Sequence, residues 1–464
     1  MTDIGGILSL GSQALLTQKK AIHVTGHNVA NVNTPGYSRQ RVQLETNPPL
    51  LMNIGPMGSG VRATEVERVY ERFLGAQISN ENQSLGRWEA QKSALERVEV
   101  AFNEVGGYGL SQALGEYWEA WQDLSNNPSG QTERVVLVAK GEYVASTFNQ
   151  RDADLKEAQL EIDAGIQETV AEINRLAAKI ADLNQKIAET ETAGHPANDH
   201  RDQRDLAVKE MAFLIDIDTF EDGNGRVTVA VNGGQTLVES NRYANLSTQI
   251  NAAGLRDILW VDGDGGTVNI SSQIAGGKLK GWLEVRDVVI EDYAARLNGL
   301  AQTFITEVNG LHASGFGLDA LNPTGNDFFT GTDAADIEVN PGIVSDNNLI
   351  AASSTLAGVP GDNSNAIAIA NLQHSLTMNG NTATFGSYYH SLVSEVGHKV
   401  QEAGSYYDHQ AEMMVYLDNR RESVSGVSLD EEMANLVKFQ SAYDAAAKLI
   451  TTADELMQTL LNML

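Results

Sequence analysis

The stretch Leu429-Asp-Glu-Glu-Met-Ala-Asn-Leu436-Val-Lys-Phe439-Gln-Ser-Ala-Tyr443-Asp-Ala-Ala-Ala-Lys-Leu-Ile450-Thr-Thr-Ala-Asp-Glu-Leu-Met457-Gln-Thr-Leu460-Leu-Asn-Met-Leu464 closes the chain. Leu429, Leu436, Tyr443, Ile450, Met457 and Leu464 step by seven, and Phe439, Ala446, Ala453 and Leu460 each follow one of them by three. Two apolar rows at this spacing fall on one side of a helix and form the seam of a coiled coil. No Gly or Pro interrupts the seam before the chain ends. The opening residues carry a weaker version: Leu8, Leu15, Ile22 and Val29 step by seven, flanked by Ile7, Ala14 and Ala21. The two ends differ in charge. Residues 1–44 hold Lys19, Lys20, Arg39 and Arg41 against Asp3, whereas residues 429–464 hold six acids against Lys438 and Lys448. The pattern predicts two terminal helices of opposite sign that pair with each other and with copies in neighbouring subunits. In a free monomer each seam lacks partners, so these helices are expected to be poorly ordered until assembly.

Between the ends the period changes twice. Residues 64–104 and 110–124 read as helical, separated by Gly106, Gly107 and Gly109, and residues 126–130 read as a turn around Pro128. A long helix is expected from about Thr132 to Thr192, with Ile166, Ile173, Ile180 and Ile187 in one row and Ile162, Leu176 and Leu183 in the other. Gly194-His195-Pro196 ends it, and a shorter helix covers about Asp199 to Leu214. Alternation then takes over. Residues 226–231 and 267–270 read as strands, and Asp222-Gly-Asn-Gly225, Asn232-Gly-Gly234 and Asp262-Gly-Asp-Gly-Gly266 read as tight turns. Helix resumes near Lys278 and runs to about His312. Residues 313–362 read as irregular, and helices return over about 363–373 and 386–424 before the break at Gly426.

The expected fold is therefore mainly α: long terminal coiled-coil helices, a helical bundle and a small inserted β-rich domain. The expected division is 1–40 with 429–464 as terminal helices, 41–214 with 276–428 as a rod-like helical domain, and 215–275 as the β insertion. The chain leaves through helices and returns through helices, so its ends are expected to lie together.

Composition removes several functions. The 464 residues carry a formal net charge of -29, which repels phosphate backbones and anionic lipid, so neither nucleic acid nor membrane is an expected partner. No apolar run approaches the ~20 residues that span a bilayer. Residues 1–16 contain Asp3 and no Lys or Arg, so the basic stretch of a cleaved signal peptide is missing and export without one is expected. There is no cysteine, which removes disulfides, thiolate metal sites and Cys nucleophiles together.

Candidate chemistry is sparse. His195, Asp199, His200, Asp202 and Asp205 cluster at one turn and helix start, but match no metal-ligand spacing. Asp199 reads more simply as an acid capping free N–H groups. A calcium loop starting at Asp262 would place Gln273 where a Glu is needed, so a hairpin turn is the better reading. Phosphate loops, zinc-protease motifs and nucleophile elbows are all missing. No catalytic residue and no cofactor is expected.

The most specific motif is Asn28-Val-Ala30-Asn31-Val-Asn33-Thr34-Pro35-Gly36-Tyr37-Ser-Arg-Gln40. Pro35 fixes its own φ and pushes Thr34 out of the helical region, while Gly36 permits a sharp turn. Asn31 and Asn33 can bond carbonyls freed at the helix end, and Tyr37 can pack where the chain leaves it. A plain helix stop needs only Pro or Gly.

Ala30-Asn31-x-x-Thr34-Pro35-Gly36-Tyr37 resembles the signature of bacterial flagellar axial proteins of the rod, hook and hook–filament junction. Ser38-Arg39-Gln40 is similar to the junction members. So are Ser425-Gly-Val-Ser-Leu-Asp-Glu-Glu432, Leu436-Val-Lys-Phe-Gln-Ser-Ala-Tyr443 and Thr452-Ala-Asp454 near the end. Asp202-Gln-Arg-Asp205, Gly276-Gly-Lys-Leu-Lys-Gly281, Arg286-Asp287 and Asp327-Phe-Phe329 resemble them too. Some members carry a further domain after the position of Phe329, which this chain lacks.

The resemblance implies an assembly function. The motif Ala30, Asn31, Asn33, Thr34, Pro35, Gly36 and Tyr37 and the two terminal seams would be its working residues. Terminal helices would line an inner tube, the helical domain would form the next shell and the β domain would project outward. Copies would form a homo-oligomeric ring at the hook–filament junction, with hook subunits on one side and the second junction protein on the other. The chain would be exported unfolded by the flagellar type III apparatus and met by an export chaperone at its C-terminal helix, ending outside the cell. A rod or hook subunit, or a secreted binding module on a helical stalk, remains the alternative. A metalloenzyme using His195 and His200 is more remote.

Overall fold

The structure is a computed structural model and describes residues 2–52, 55–102, 109–318 and 325–463. Leu464 of the expected seam and the expected helix breakers Gly106 and Gly107 lie outside the described residues. The chain starts with helix α1 (Thr2–Ala30) and ends with α11 (Leu429–Asn462). The two lie antiparallel: Asn28 meets Glu432 at one end, and Gly11 meets Ala446 and Ile450 further along. A Cβ on Gly11 would stand 2.7 Å from Ile450 Cγ1, so the helices approach closely there because Gly11 has none.

On α11 the line of contact follows one of the two expected rows and leaves the other at its flank. On α11 the buried row is Glu432, Ala446 and Ala453, with Phe439 half-buried between them. Leu436 and Ile450 are half-buried at its flank, while Leu429, Tyr443, Met457 and Leu460 stay exposed. On α1 the buried residues are Gly11, Thr17, Ala21, Val24, Thr25 and Asn28, and Leu8, Leu15, Ile22 and Val29 are half-buried beside them. The physical reason is that α1 is packed on two sides. Opposite α11 lies a ribbon, β1 (Gln40–Thr46) paired with β4 (Val61–Arg68), extended by β2 (Leu50–Met52) paired with β3 (Gly55–Met57). Thr17 Oγ1 donates to Val61 O at 3.2 Å and Asn47 Nδ2 to Gln13 Oε1 at 2.8 Å.

This ribbon corrects the expectation of helix from residue 64. Residues 64–68 are strand, and helix α2 spans Arg72–Ala101. The alternation Val42-Gln-Leu44-Glu in β1 supplies an apolar face for its partner to match, so pairing overrides the local helix preference of residues 64–68.

Helix α3 (Leu110–Asn126) turns into α4 (Gln131–Thr192), a single helix about 93 Å long. Helix α5 (Asn198–Leu214) folds back along the end of α4. The half of α4 beyond Phe148 toward its start packs in an aromatic core with Trp121, Tyr117, Phe304, Phe328 and Phe329, all fully buried. The half from Ile166 to Ala181 packs in a second core with α5 and the β region.

The β region holds seven strands where the sequence pattern showed two. β5 (Ile217–Glu221), β6 (Val227–Val231), β7 (Thr236–Glu239) and β8 (Arg242–Tyr243) form one antiparallel sheet in that order. β9 (Asn245–Ile250), β10 (Arg256–Val261) and β11 (Thr267–Asn269) form the other. All three expected turns join neighbouring strands. The return path is α6 (Gly277–Glu284), one π turn at Val285–Val289, and α7 (Ile290–Ser314). Helix α6 lies against α2 so closely that a Cβ on Gly281 would stand 2.3 Å from Arg87 O.

The stretch 313–362, expected to be irregular, is partly core. It contains β12 (Phe329–Thr330) paired with β13 (Glu338–Val339) and the short helix α8 (Pro341–Ser345), and it buries Phe328, Phe329, Ile337, Ile343 and Ile350. Its apolar residues are too scattered for a period, yet they fill one end of the aromatic core. Helices α9 (Ser364–Ala370) and α10 (Phe385–Ser425) complete the chain before α11. Helix α10 runs antiparallel to α2, with Leu74 and Ile78 against Met414 and Leu417, and Trp88 stacked on Tyr406 at 4.4 Å. Along the molecule the order is terminal hairpin, β region on the flank, then aromatic core. The β region thus sits beside the middle of the helical body rather than beyond it.

Candidate functional site

The signature loop, the start of α5 and the start of α11 meet in one clasp. Asn28, which is 1% exposed, is its hub. Its Oδ1 accepts from the Tyr37 hydroxyl at 2.8 Å and the Gln40 amide at 2.9 Å. Its Nδ2 donates to Gln40 O at 2.9 Å and to Glu432 Oε2 at 3.2 Å. All four partners of one carboxamide are supplied, so the helix end, the outgoing chain and the last helix are bound at a single point.

The rest of the loop supports that hub. His27 Nδ1 donates to the Tyr37 hydroxyl at 3.0 Å, and the ring Nε2 accepts from Asn31 Nδ2 at 3.4 Å. Asn31 Nδ2 also bonds His27 O at 3.0 Å, and Thr34 Oγ1 bonds Asn31 Oδ1 at 3.1 Å. Gly36 takes φ +80° and passes against Leu206, a conformation that L side chains adopt only with strain. Ala30, Asn33, Thr34 and Pro35 are exposed. Burial and the nearby Asp199, Asp202 and Glu432 push the Tyr37 phenol pKa well up, so it stays a donor.

Carboxylates fix the loop to the body. Asp202 accepts from the Ser38 amide at 2.8 Å and from Arg68 Nη1 at 3.0 Å, and Arg68 also reaches Asp205 at 2.7 Å. Burial raises the Asp202 carboxyl pKa, although the Ser38 amide and Arg68 both favour its charge. Burial likewise opposes the Arg68 charge, and Asp205 and Asp202 outweigh it. Gln40 Nε2 donates to Asp199 at 2.6 Å. Arg39 bridges Glu431 and Glu432 at 2.7 Å each, and its amide donates to Ser425 O at 2.8 Å. Asp199 and Asp202, weighed above as metal ligands or caps, thus hold the signature loop. Among the described residues no three His, Asp or Glu side chains are placed to share a metal ion.

The sequence reading missed Asn28, Arg68 and Glu432 as working residues, but two of them carry a signal. The row Ile7, Ala14, Ala21 reaches Asn28 at its next step, and the row Ala453, Ala446, Phe439 reaches Glu432. A polar residue at the end of an apolar row marks a buried partner. Here the two rows end on each other.

The terminal hairpin leaves much apolar surface uncovered. Leu16 is 66% exposed, and on α11 Met433 and Val437 are 52% and 58% exposed. On the other flank Leu449 and Leu456 are also exposed. The contact within the hairpin is thus narrow, and it lies on a broad apolar helix.

Comparison with known proteins agrees with this arrangement at both ends and in the middle. The family model for the flagellar hook-associated protein FlgK helical domain matches residues 95–329. Models for the flagella basal body rod protein and the flagellar basal body rod FlgEFG protein C-terminal match residues 8–37 and 421–463, the two arms of the hairpin. Flagellar hook-associated protein 1 of Bacillus subtilis is 32% identical, with 98% of this chain and 97% of that protein covered. The protein of the same name from Salmonella typhimurium is 25% identical, with 99% and 100% covered, in an alignment of 560 positions that exceeds the length of this chain. The solved structure of the flagellar hook junction protein FlgK from Burkholderia pseudomallei shares the fold with a TM-score of 0.66 at 15% identity, over 75% of this chain and 100% of that one. A clasp that joins both termini, a helical body matched by its own model and a relative aligned from end to end lead to one conclusion: the chain belongs to the flagellar hook-associated protein 1 family and is a structural component of the flagellum.

Proposed function

We propose that this chain is the adaptor subunit of the hook–filament junction. One observation carries the reading: the terminal hairpin is fixed to the body by a fully bonded clasp, yet α11 leaves apolar residues uncovered on both sides of α1. Copies would assemble head to tail into a ring, since a contact between unlike surfaces is what a tube requires. The terminal helices, residues 1–40 with 429–464, form the inner tube. The helical domain, 41–214 with 276–428, stands outside it and carries the β insertion, 215–275, on its flank. Hook subunits contact one side of the ring and the second junction protein the other. Export runs through the flagellar type III apparatus with the chain unfolded, after a chaperone has covered the C-terminal helix. The role is mechanical and needs no catalytic residue or cofactor.

The test is Met433→Asp combined with Val437→Asp, introduced in place of the parent gene. Both side chains are exposed, so the purified variant should melt as the parent does. Cells should build hooks that carry no filament, seen by electron microscopy. Normal filaments on the variant would overturn the assembly surface. Loss of the hook itself would assign the chain to the rod or hook instead.

A further inference from the structure

Helix α4 meets the β region through three polar side chains on one side of the helix. Asp163 and Asn184 are fully buried, and Asn174 is half-buried. They are spaced by 11 and 10 residues, which is about 16 Å and 15 Å along the axis and close to three turns each. Each one bonds backbone of the β region, and Asp163 and Asn184 take arginine side chains as well: Asp163 pairs with Arg256 and Arg286, and Asn184 accepts from Arg204. Asn174 Oδ1 accepts from the Leu246 amide at 2.7 Å, and its Nδ2 donates to Leu246 O at 2.8 Å. Asn184 does the same to Val227, at 3.0 Å and 2.8 Å, and also donates to Ser240 O at 2.8 Å. Asp163 accepts from the Arg256 amide at 2.8 Å.

The partners lie on different strands. Val227 begins β6, Leu246 lies on β9, an edge of the second sheet, and Arg256 begins β10. A carboxamide that bonds both N–H and C=O of one residue replaces the missing neighbour strand at that residue. Helix α4 therefore closes edge positions of both sheets at three fixed heights. Around it the contact is locked further: Arg286 donates from Nη1 to Asp163 at 2.7 Å and to Arg256 O at 2.7 Å, and Arg204 reaches both Asn184 and the Gly225 carbonyl. The π turn at Val285–Val289 is where Arg286 enters. Apolar packing of Ile166, Ile173 and Ile180 against the sheets supplies adhesion but no fixed height, because it is not directional. Hydrogen bonds with paired donors and acceptors supply it.

We infer that Asp163, Asn174 and Asn184 are positioning residues that hold the β region at one height and one angle on α4, so that it moves with the helical body as a single unit. This extends the junction reading, in which the flank of the body must present the same surface at every position of a ring, but its test needs no ring.

The cysteine-free chain allows two labels to be placed without removing any residue of that type. Spin labels go on Glu157→Cys, on the exposed side of α4, and on Asp264→Cys, in the β10–β11 turn. Pulsed dipolar spectroscopy of the purified chain then reads the width of their distance distribution. The parent should give one narrow distribution. Asn174→Ala with Asn184→Ala should at least double its width, while near-ultraviolet circular dichroism of the Trp121 core melts as before. Asn174→Asp, which keeps the acceptor and loses the donor, should fall between. An unchanged width in the double variant overturns the inference. If the double variant does not fold, Asn174→Ala alone decides, because its half-buried site tolerates truncation. Failure here would leave the assembly test above untouched.

Discussion

The aromatic core and the terminal hairpin are built from the same kind of helix and bury opposite kinds of residue. In the core, Tyr117 sits within ring contact of Trp118, Trp121, Phe304, Phe328 and Phe329, at centroid separations of 5.1 to 6.4 Å. Large rings meet mostly edge to face there and are fully covered within the one chain. In the hairpin the fully covered residues are mostly small or polar, Ala21, Ala446 and Ala453 with Thr17, Thr25, Asn28 and Glu432, while Phe439 and Ile450 are only half-buried and most other large side chains of α11 stay exposed. A core of large residues is finished within one chain. A contact of small and polar residues is specific in register but buries little apolar area.

The comparison can be broken most easily at its strong side. Phe304→Ala should lower the unfolding free energy by about 3–5 kcal/mol, the cost of an aromatic cavity, measured by denaturant titration. A loss under 1 kcal/mol would mean that this core is not closed. The next largest effect is on pH dependence. His312 is fully buried, donates from Nδ1 to Asn326 O at 2.7 Å and accepts the Ala351 amide on Nε2 at 3.1 Å, so it must be neutral. Burial lowers its pKa from 6.5 to about 4. The unfolded chain therefore binds more protons between those values. The stability is complete above pH 6.5 and declines as pH falls toward 4, by roughly 3 kcal/mol from this group. His312→Gln should flatten that decline; an identical acid profile in the variant would remove His312 as its source.

At the clasp, Asn28→Ala strands the Gln40 amide and one oxygen of Glu432, whose other oxygen stays with Arg39, and should cost about 1–3 kcal/mol. Limited proteolysis should then release α1 and α11 sooner than in the parent, with the body left intact. Equal release would show that apolar contact alone sets the register. The smallest effect is at Val437. On the isolated chain Val437→Ser should change stability by less than about 0.5 kcal/mol, since the side chain touches little. A larger loss would place Val437 inside the monomer's own contact.

The helices were legible because their period is long and repeated, as at Ile166, Ile173, Ile180 and Ile187. The ribbon β1–β4 was not legible: the alternation at Val42 and Leu44 is short, and the partner strand carries charges at residues 62, 65, 67 and 68 that suit a helix surface equally well. Tertiary pairing decided between them. The seven-strand β region shows its turns and two of its strands, 226–231 and 267–270; the other strands, of two to six residues, are too short for a period to stand out. Phe328 and Phe329 lie in a segment with no period at all, and only the fold reveals that they complete the core. At the candidate site the turn chemistry of Thr34, Pro35 and Gly36 could be read locally. The bonds from Asp202, Arg68 and Glu432 could not, since their partners lie 134 to 404 residues away along the chain.

Helix α4 also acts as a lever. Its last turns lie by the clasp, where Glu191 is paired with Arg201, and its first turns lie at the far end, where Arg134 holds the carbonyls of Pro128 and Ile350. For a rod about 93 Å long, a tilt of about five degrees at the clasp carries the far end about 8 Å, close to the spacing of two packed helices. A change in the angle between the terminal hairpin and the body that is small at the clasp becomes, at the far end, a displacement of one whole helix. The rigidity of one uninterrupted helix thus converts a small rotation at the clasp into a large movement at the other end.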